Sequence, residues 1–79
     1  MHTETETKMR SLWREVLEDE KIEYEDNFFE SGGNSLNAMI LLDRIQEEFG
    51  IEISVADLFD CRNIIEASAV IDGYLKESV

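Results

Sequence analysis

The 79-residue chain has no proline, one cysteine, one histidine and only seven basic residues. A lone cysteine, Cys61, excludes an internal disulfide and indicates a reducing compartment, so a cytoplasmic setting is expected. Next to Phe59 and Asp60 at a predicted helix boundary, it reads as a small apolar residue rather than a reactive thiol. The sole histidine, His2, lies in a polar N-terminal stretch, which leaves no Ser–His or Cys–His pair for nucleophilic catalysis. One Cys and one His cannot build a zinc site of the usual ligand types. The acidic stretch from Tyr24 to Gly32 lacks the alternating oxygen ligands of a calcium loop, because Phe28 stands where one is needed. Gly32-Gly33-Asn34-Ser35 lacks the lysine of a nucleotide-binding loop. No catalytic residue and no metal site are therefore expected, and the protein is read as no enzyme. Met1 to Thr7 has no apolar signal core, and no run approaches a membrane span.

Acidic residues are abundant. Nineteen Asp and Glu against seven Lys and Arg give a formal charge of −12 at pH 7. Such a surface repels phosphate backbones and anionic lipid, which argues against nucleic-acid and membrane partners. It favours partners with basic docking surfaces, or else serves solubility alone. A hydrophobic fraction of 43% is that of a folded chain. At this length there is one small domain, which buries only about 60% of its unfolded surface. A monomer is expected.

Met9, Leu12, Trp13, Val16 and Leu17 recur at helical spacing and predict a first amphipathic helix with Trp13 in the core. Residues 1–7 read as a disordered N-terminal tail, 8–76 as the folded unit, and 77–79 as a C-terminal tail. Residues 20–34 form a long connection, with Phe28 and Phe29 as its anchors to the core. A second helix is predicted from Ser35 to Phe49, stopped by Gly50. Ser54 and Asp57 form a capping box for a short third helix, and Ile53 can staple against Leu58. Asn63 caps a fourth helix with Ile64, Ala67, Ser68, Ile71, Tyr74 and Leu75 along one stripe. The expected fold is all-α, a small four-helix bundle with a short third helix and a long loop between helices 1 and 2.

The second helix carries more apolar surface than one core face needs. Ala38, Leu41, Leu42, Ile45 and Phe49 share one arc of about 100°. Leu36 and Ile40 fall nearly opposite it, beside Asp43 and Glu47, and Met39 lies on the flank. Either the 20–34 loop covers these three, or they form a partner-docking patch, for which the adaptable thioether of Met39 is suited.

Just before this helix stands Gly32-Gly33-Asn34-Ser35. In structural terms Gly-Gly makes a turn, and either Asn34 or Ser35 caps the helix. A phosphate ester on Ser35 would also sit at the helix N-terminus, near free N–H groups and the positive end of the dipole. The two glycines would let another protein's active site close on the serine.

The run Asp26-Asn27-Phe28-Phe29-Glu30-Ser31-Gly32-Gly33-Asn34-Ser35-Leu36 resembles the core motif of peptidyl carrier proteins (thiolation domains) of nonribosomal peptide synthesis, within the phosphopantetheine-binding acyl-carrier-like family. The resemblance continues through Arg44-Ile45, Phe49-Gly50-Ile51 and Asp57-Leu58-Phe59, and covers roughly residues 8–76. It implies a bundle of acyl-carrier type. It also implies that Ser35 accepts 4′-phosphopantetheine from coenzyme A through a magnesium-dependent phosphopantetheinyl transferase, with Gly32, Gly33 and Asn34 around the attachment point. The arm would carry an aminoacyl or peptidyl group as a thioester and present it to an adenylation enzyme or domain and to condensation, thioesterase or tailoring enzymes, a tether raising effective concentration. Ser31 replaces a usual Leu, Asn34 a usual His or Asp, and Arg62 a frequent proline. Starting at its own Met, the chain reads as a free-standing carrier. Two other readings stay open: an acyl carrier protein of fatty-acid or polyketide synthesis, and a cofactor-free acidic helical adaptor.

Overall fold

Met9, Leu12 and Trp13 are buried along one face of the first helix, which begins earlier than the apolar spacing predicts. The computed structural model describes residues 2–77, and over that span the elements are α1 (Glu4–Leu17), α2 (Ser35–Phe49), α3 (Val55–Asp60) and α4 (Ile64–Glu77), with no strand among the described residues. Helix α1 packs on both α4 and α2, and α3 packs on α2.

The expected N-terminal tail is corrected: residues 4–7 are the first turn of α1. Thr3 Oγ1 accepts the Glu6 N–H at 3.1 Å, and Glu6 Oε1 accepts the Thr3 N–H at 2.8 Å. This reciprocal cap satisfies two donors that a helix start otherwise leaves free. Thr5 Oγ1 then donates to Asp72 Oδ1 at 2.7 Å and fastens α1 to α4. His2 stacks on Tyr24 with ring centroids 3.4 Å apart. At the other end α4 includes Glu77, while Ser78 and Val79 of the expected C-terminal tail lie outside the described residues.

A second correction concerns α4. Ile64, Ala67, Ser68 and Ile71 are buried, but Tyr74 and Leu75 are exposed. One turn earlier, Asp72 meets Thr5 near the start of α1.

The long connection is held at both ends and in its middle. Arg14 Nε donates to the Ile22 carbonyl at 2.9 Å, and Arg14 and Arg10 both pair with Glu23. Asn27 Oδ1 accepts the N–H groups of Phe29 and Glu30, at 2.9 and 3.0 Å, while its Nδ2 donates to the Arg62 carbonyl at 3.0 Å. The Ile64 N–H donates to the Tyr24 carbonyl at 3.1 Å. Phe28 is buried edge-on against Trp13, with centroids 5.2 Å apart, and Phe29 packs between Phe28 and Phe59. Such aromatic pairs are worth about 0.5–1.5 kcal/mol beyond their burial.

Among the described residues, two buried side-chain polar atoms have no hydrogen-bond partner, Trp13 Nε1 and Ser68 Oγ. Cys61 is buried and its Sγ donates to the Asp57 carbonyl at 3.2 Å. Burial pushes its thiol pKa upward, and Glu66, Asp57 and Asp60 push it the same way.

Among the described residues, five cations are engaged in ion pairs: Lys8 with Glu4 and Glu48, Arg10 and Arg14 with Glu23, Arg44 with Glu15 and Glu47, and Arg62 with Glu66. The Arg44–Glu15 pair is two-pronged, at 2.6 and 2.9 Å, and links α2 to α1. No described helix is long and apolar enough to cross a membrane.

Candidate functional site

The two glycines before α2 are needed for different reasons. Gly32 has φ +104° with open space around it, a backbone conformation that side-chain-bearing residues rarely adopt. Gly33 lacks such a φ but lies hard against Phe28. A Cβ there would stand 2.5 Å from two atoms of the Phe28 ring and 2.7 Å from the Phe28 carbonyl oxygen. The Gly33 N–H donates to that carbonyl at 3.0 Å, and the Ser31 N–H to the Asn27 carbonyl at 3.0 Å. The chain thus enters α2 from a turn clamped to the core by Phe28.

Asn34 is the cap. Its Oδ1 accepts the Asn37 N–H at 2.9 Å, the Asn37 Oδ1 accepts the Asn34 N–H at 3.3 Å, and the Asn34 carbonyl accepts the Ala38 N–H at 2.9 Å. Ser35 is accordingly the first helical residue. It is exposed, and its hydroxyl makes no hydrogen bond among the described residues. The N–H groups of Ser35 and Leu36 precede the first helical hydrogen bond and have no partner there either. Helices α1, α3 and α4 each place an acidic residue in the first turn, and α2 places none.

The 20–34 loop does not cover the outer face of α2. Leu36 is 67% exposed, Met39 60% and Ile40 43%, whereas Ala38, Leu41 and Ile45 are fully buried. The loop buries Phe28 against Trp13 and leaves Phe29 half-buried between Phe28 and the exposed Phe59. Sequence reasoning missed two further apolar residues, Val55 and Phe59, which α3 exposes while burying Leu58. Their i,i+4 spacing is a signal, although six residues are too few to show a period. It also missed Asn37, whose partnership with Asn34 is an N-x-x-N form of the capping box.

A phosphate ester on Ser35 fits this arrangement. The hydroxyl is free, two N–H donors and the positive end of the helix dipole lie beside it, and no acid occupies the turn. Gly32 presents no side chain to an approaching enzyme.

A family model described as Phosphopantetheine attachment site matches residues 7–71. Gramicidin S synthase 2 of Brevibacillus brevis is 41% identical over 75 residues, covering 95% of this chain and 2% of that protein. Surfactin synthase subunit 1 of Bacillus subtilis (strain 168) is 51% identical over 57 residues, covering 72% of this chain and 2% of that protein. The chain thus spans about 2% of the length of these relatives. One chain of the structure of the phosphopantetheine transferase Sfp in complex with coenzyme A and a peptidyl carrier protein superposes with a TM-score of 0.87 at 27% identity, covering 92% of this chain and 95% of that one. The solution structure of the docking-domain complex of the Pax NRPS matches with a TM-score of 0.83 at 35% identity, over 91% of this chain and 69% of that one. With its four helices, its free serine and these relatives, the chain belongs to the phosphopantetheine attachment-site family, as a non-catalytic carrier domain of the nonribosomal peptide synthetase type.

Proposed function

We propose that Ser35 is the residue to which 4′-phosphopantetheine is attached, and that the protein presents an aminoacyl or peptidyl group to successive enzymes of nonribosomal peptide biosynthesis. The observation that carries this reading is the division of labour at the start of α2. Asn34 takes the cap, so the Ser35 hydroxyl is left exposed and unbonded in a chain of the attachment-site family.

In the modification step the Ser35 Oγ forms a bond to the phosphorus of coenzyme A that bears the pantetheine. The pyrophosphate P–O bond breaks, its electron pair leaves with adenosine 3′,5′-bisphosphate, and the Ser35 proton passes to a base of the transferase. The attached arm supplies a terminal thiol that holds an acyl group as a thioester. Leu36, Met39 and Ile40, with Val55 and Phe59 of α3, offer apolar surface to the enzymes that approach, and the acidic field favours partners with basic rims. Those partners are a phosphopantetheinyl transferase, an adenylation enzyme, and condensation, thioesterase or tailoring enzymes. We place this work in the cytoplasm, with the carrier serving its enzymes in trans; the net charge of −12 supports such encounters by steering.

Incubation with coenzyme A, magnesium and a broad-specificity transferase tests the reading. Intact mass should rise by one phosphopantetheine, and Ser35→Ala should abolish the gain. No gain, under conditions that modify a control carrier, leaves the acidic-adaptor reading in its place. Loading by a separately supplied adenylation enzyme with an amino acid supports the peptidyl assignment and service in trans. Loading only by a malonyl transferase turns the assignment to an acyl carrier.

A further inference from the structure

Helix α3 has six residues, too few to keep a direction of its own in water, yet it presents Val55 and Phe59 outward. Its two ends are held differently. At the start it caps itself, with Ser54 Oγ accepting the Asp57 N–H at 3.0 Å. At its far end the hold comes from the loop that precedes α2. Asn27 Nδ2 donates to the Arg62 carbonyl at 3.0 Å, and the Phe29 ring lies against the Phe59 ring with centroids 5.1 Å apart. Phe59 is therefore exposed but not free to swing.

The same stretch of loop also sets the turn that leads to Ser35. The Asn27 carbonyl accepts the Ser31 N–H at 3.0 Å, and Asn27 Oδ1 accepts the N–H groups of Phe29 and Glu30. Phe28, between them, takes the Gly33 N–H on its carbonyl, and its ring stands where a Gly33 Cβ would go. Phe28 and Phe29 meet edge to face, with centroids 5.4 Å apart. One short segment thus grips the attachment turn with Phe28 and the Asn27 carbonyl, and the end of α3 with Phe29 and the Asn27 amide.

We propose that Asn27 and Phe29 are positioning residues that brace α3 against the Ser35 turn, so that a phosphopantetheinyl transferase seated on Val55 and Phe59 finds the serine at a fixed reach. This rests on the assignment of Ser35 as the attachment residue and of α3 as part of the docking surface. Neither side chain need touch the enzyme. Each acts through Phe59, by sparing the encounter the work of ordering α3.

The test uses the whole chain as substrate for a broad-specificity transferase with coenzyme A and magnesium, comparing wild type, Asn27→Ser and Phe29→Leu, each alone and combined with Phe59→Ala. Asn27→Ser keeps an acceptor for the turn but loses the donor that reaches Arg62, and Phe29→Leu stays apolar but loses the ring contact. In each single variant KM for the carrier should rise by about 3–10-fold, the size of one lost interaction, with kcat within about twofold. Hydrogen exchange should quicken at the Leu58 and Cys61 amides of α3 and not at Ala38 of α2. In the Phe59→Ala background the rise in KM should vanish, because the residue through which both act is gone. A merely structural role would lower the melting midpoint and leave KM unchanged, so an unchanged KM in either folded variant overturns the brace while the Ser35 assignment stands. A rise that persists in full without Phe59 overturns it too, and if one variant does not fold, the other decides. Absence of modification in the wild type, with a control carrier modified, overturns the Ser35 assignment and the brace with it.

Discussion

Gly33 rests on the ring of Phe28 so closely that the two cannot both keep their places if either grows, since an added Cβ would meet Cδ2 and Cε2 at 2.5 Å. Gly33→Ala should therefore cost about 1–3 kcal/mol, the usual range for overpacking. Gly32→Ala should cost about 1–2 kcal/mol through its φ alone. Urea unfolding separates the causes: in a Phe28→Leu background the Gly33→Ala loss should shrink and the Gly32→Ala loss should not.

The cap and the hydroxyl beside it should answer differently to alanine. Asn34→Ala removes an acceptor for the Asn37 N–H and should cost about 1 kcal/mol. Ser35→Ala removes a hydroxyl that bonds nothing and should change stability by less than about 0.5 kcal/mol while ending modification. A large loss for Ser35→Ala in chemical denaturation would contradict this cap assignment.

These starts and stops show what the sequence made legible. Gly50 ends α2 because it takes φ +71°, a conformation that glycine adopts freely, and the helix wheel separates Ala38, Leu41 and Ile45 from Leu36, Met39 and Ile40. The start of α1 escaped because Thr3 to Thr7 contains no apolar residue, so periodicity stays silent although Thr3 and Glu6 spell a capping box. Asn27 escaped for another reason: its partner, the Arg62 carbonyl, lies 35 residues away. Tyr74 and Leu75 keep the helical spacing of the buried stripe yet are exposed, a difference that spacing alone does not show.

On the outer face of α2, Leu36→Asp should leave stability within about 0.5 kcal/mol of wild type. Ile40→Asp, at a less exposed position, should cost about 1 kcal/mol. Ile45→Asp, fully buried, should cost several times as much through the desolvated charge. Both outward variants should slow use by at least one partner enzyme, measured as a rise in KM at the modification or loading step. Unchanged kinetics for both would remove this face from the docking surface.

Ser68 offers a gain. Its Oγ is buried without a partner, and alanine fills nearly the same space with no polar atom to strand and with better helix propensity. Ser68→Ala should stabilise the protein by about 1 kcal/mol, read as a higher urea midpoint at unchanged m-value. A destabilised variant would mean that the hydroxyl is bonded.

Cys61 makes the fold sensitive to alkali. Its folded thiol pKa lies above the ordinary value of 9.0, chiefly through burial, so the folded state holds that proton more tightly than the unfolded chain. The contribution is fully present below pH 9.0 and is lost as pH rises through the folded value. Stability should therefore decline above that pH, and less steeply in Cys61→Ala. In the modified protein at pH 8, iodoacetamide should label the arm thiol and leave Cys61 untouched until denaturant is added.

The internal engagement of Lys8, Arg10, Arg14, Arg44 and Arg62 bears on how copies of this protein meet one another. Each such pair adds little stability, being at least partly exposed. Together they leave no large basic patch to face the excess carboxylates of a neighbour. Two copies approaching in dilute salt meet net like charge, and this repulsion opposes contact between their exposed α2 faces. On the proposed docking role, that surface would stay open at high protein concentration, because a field that favours basic partners also holds identical copies apart.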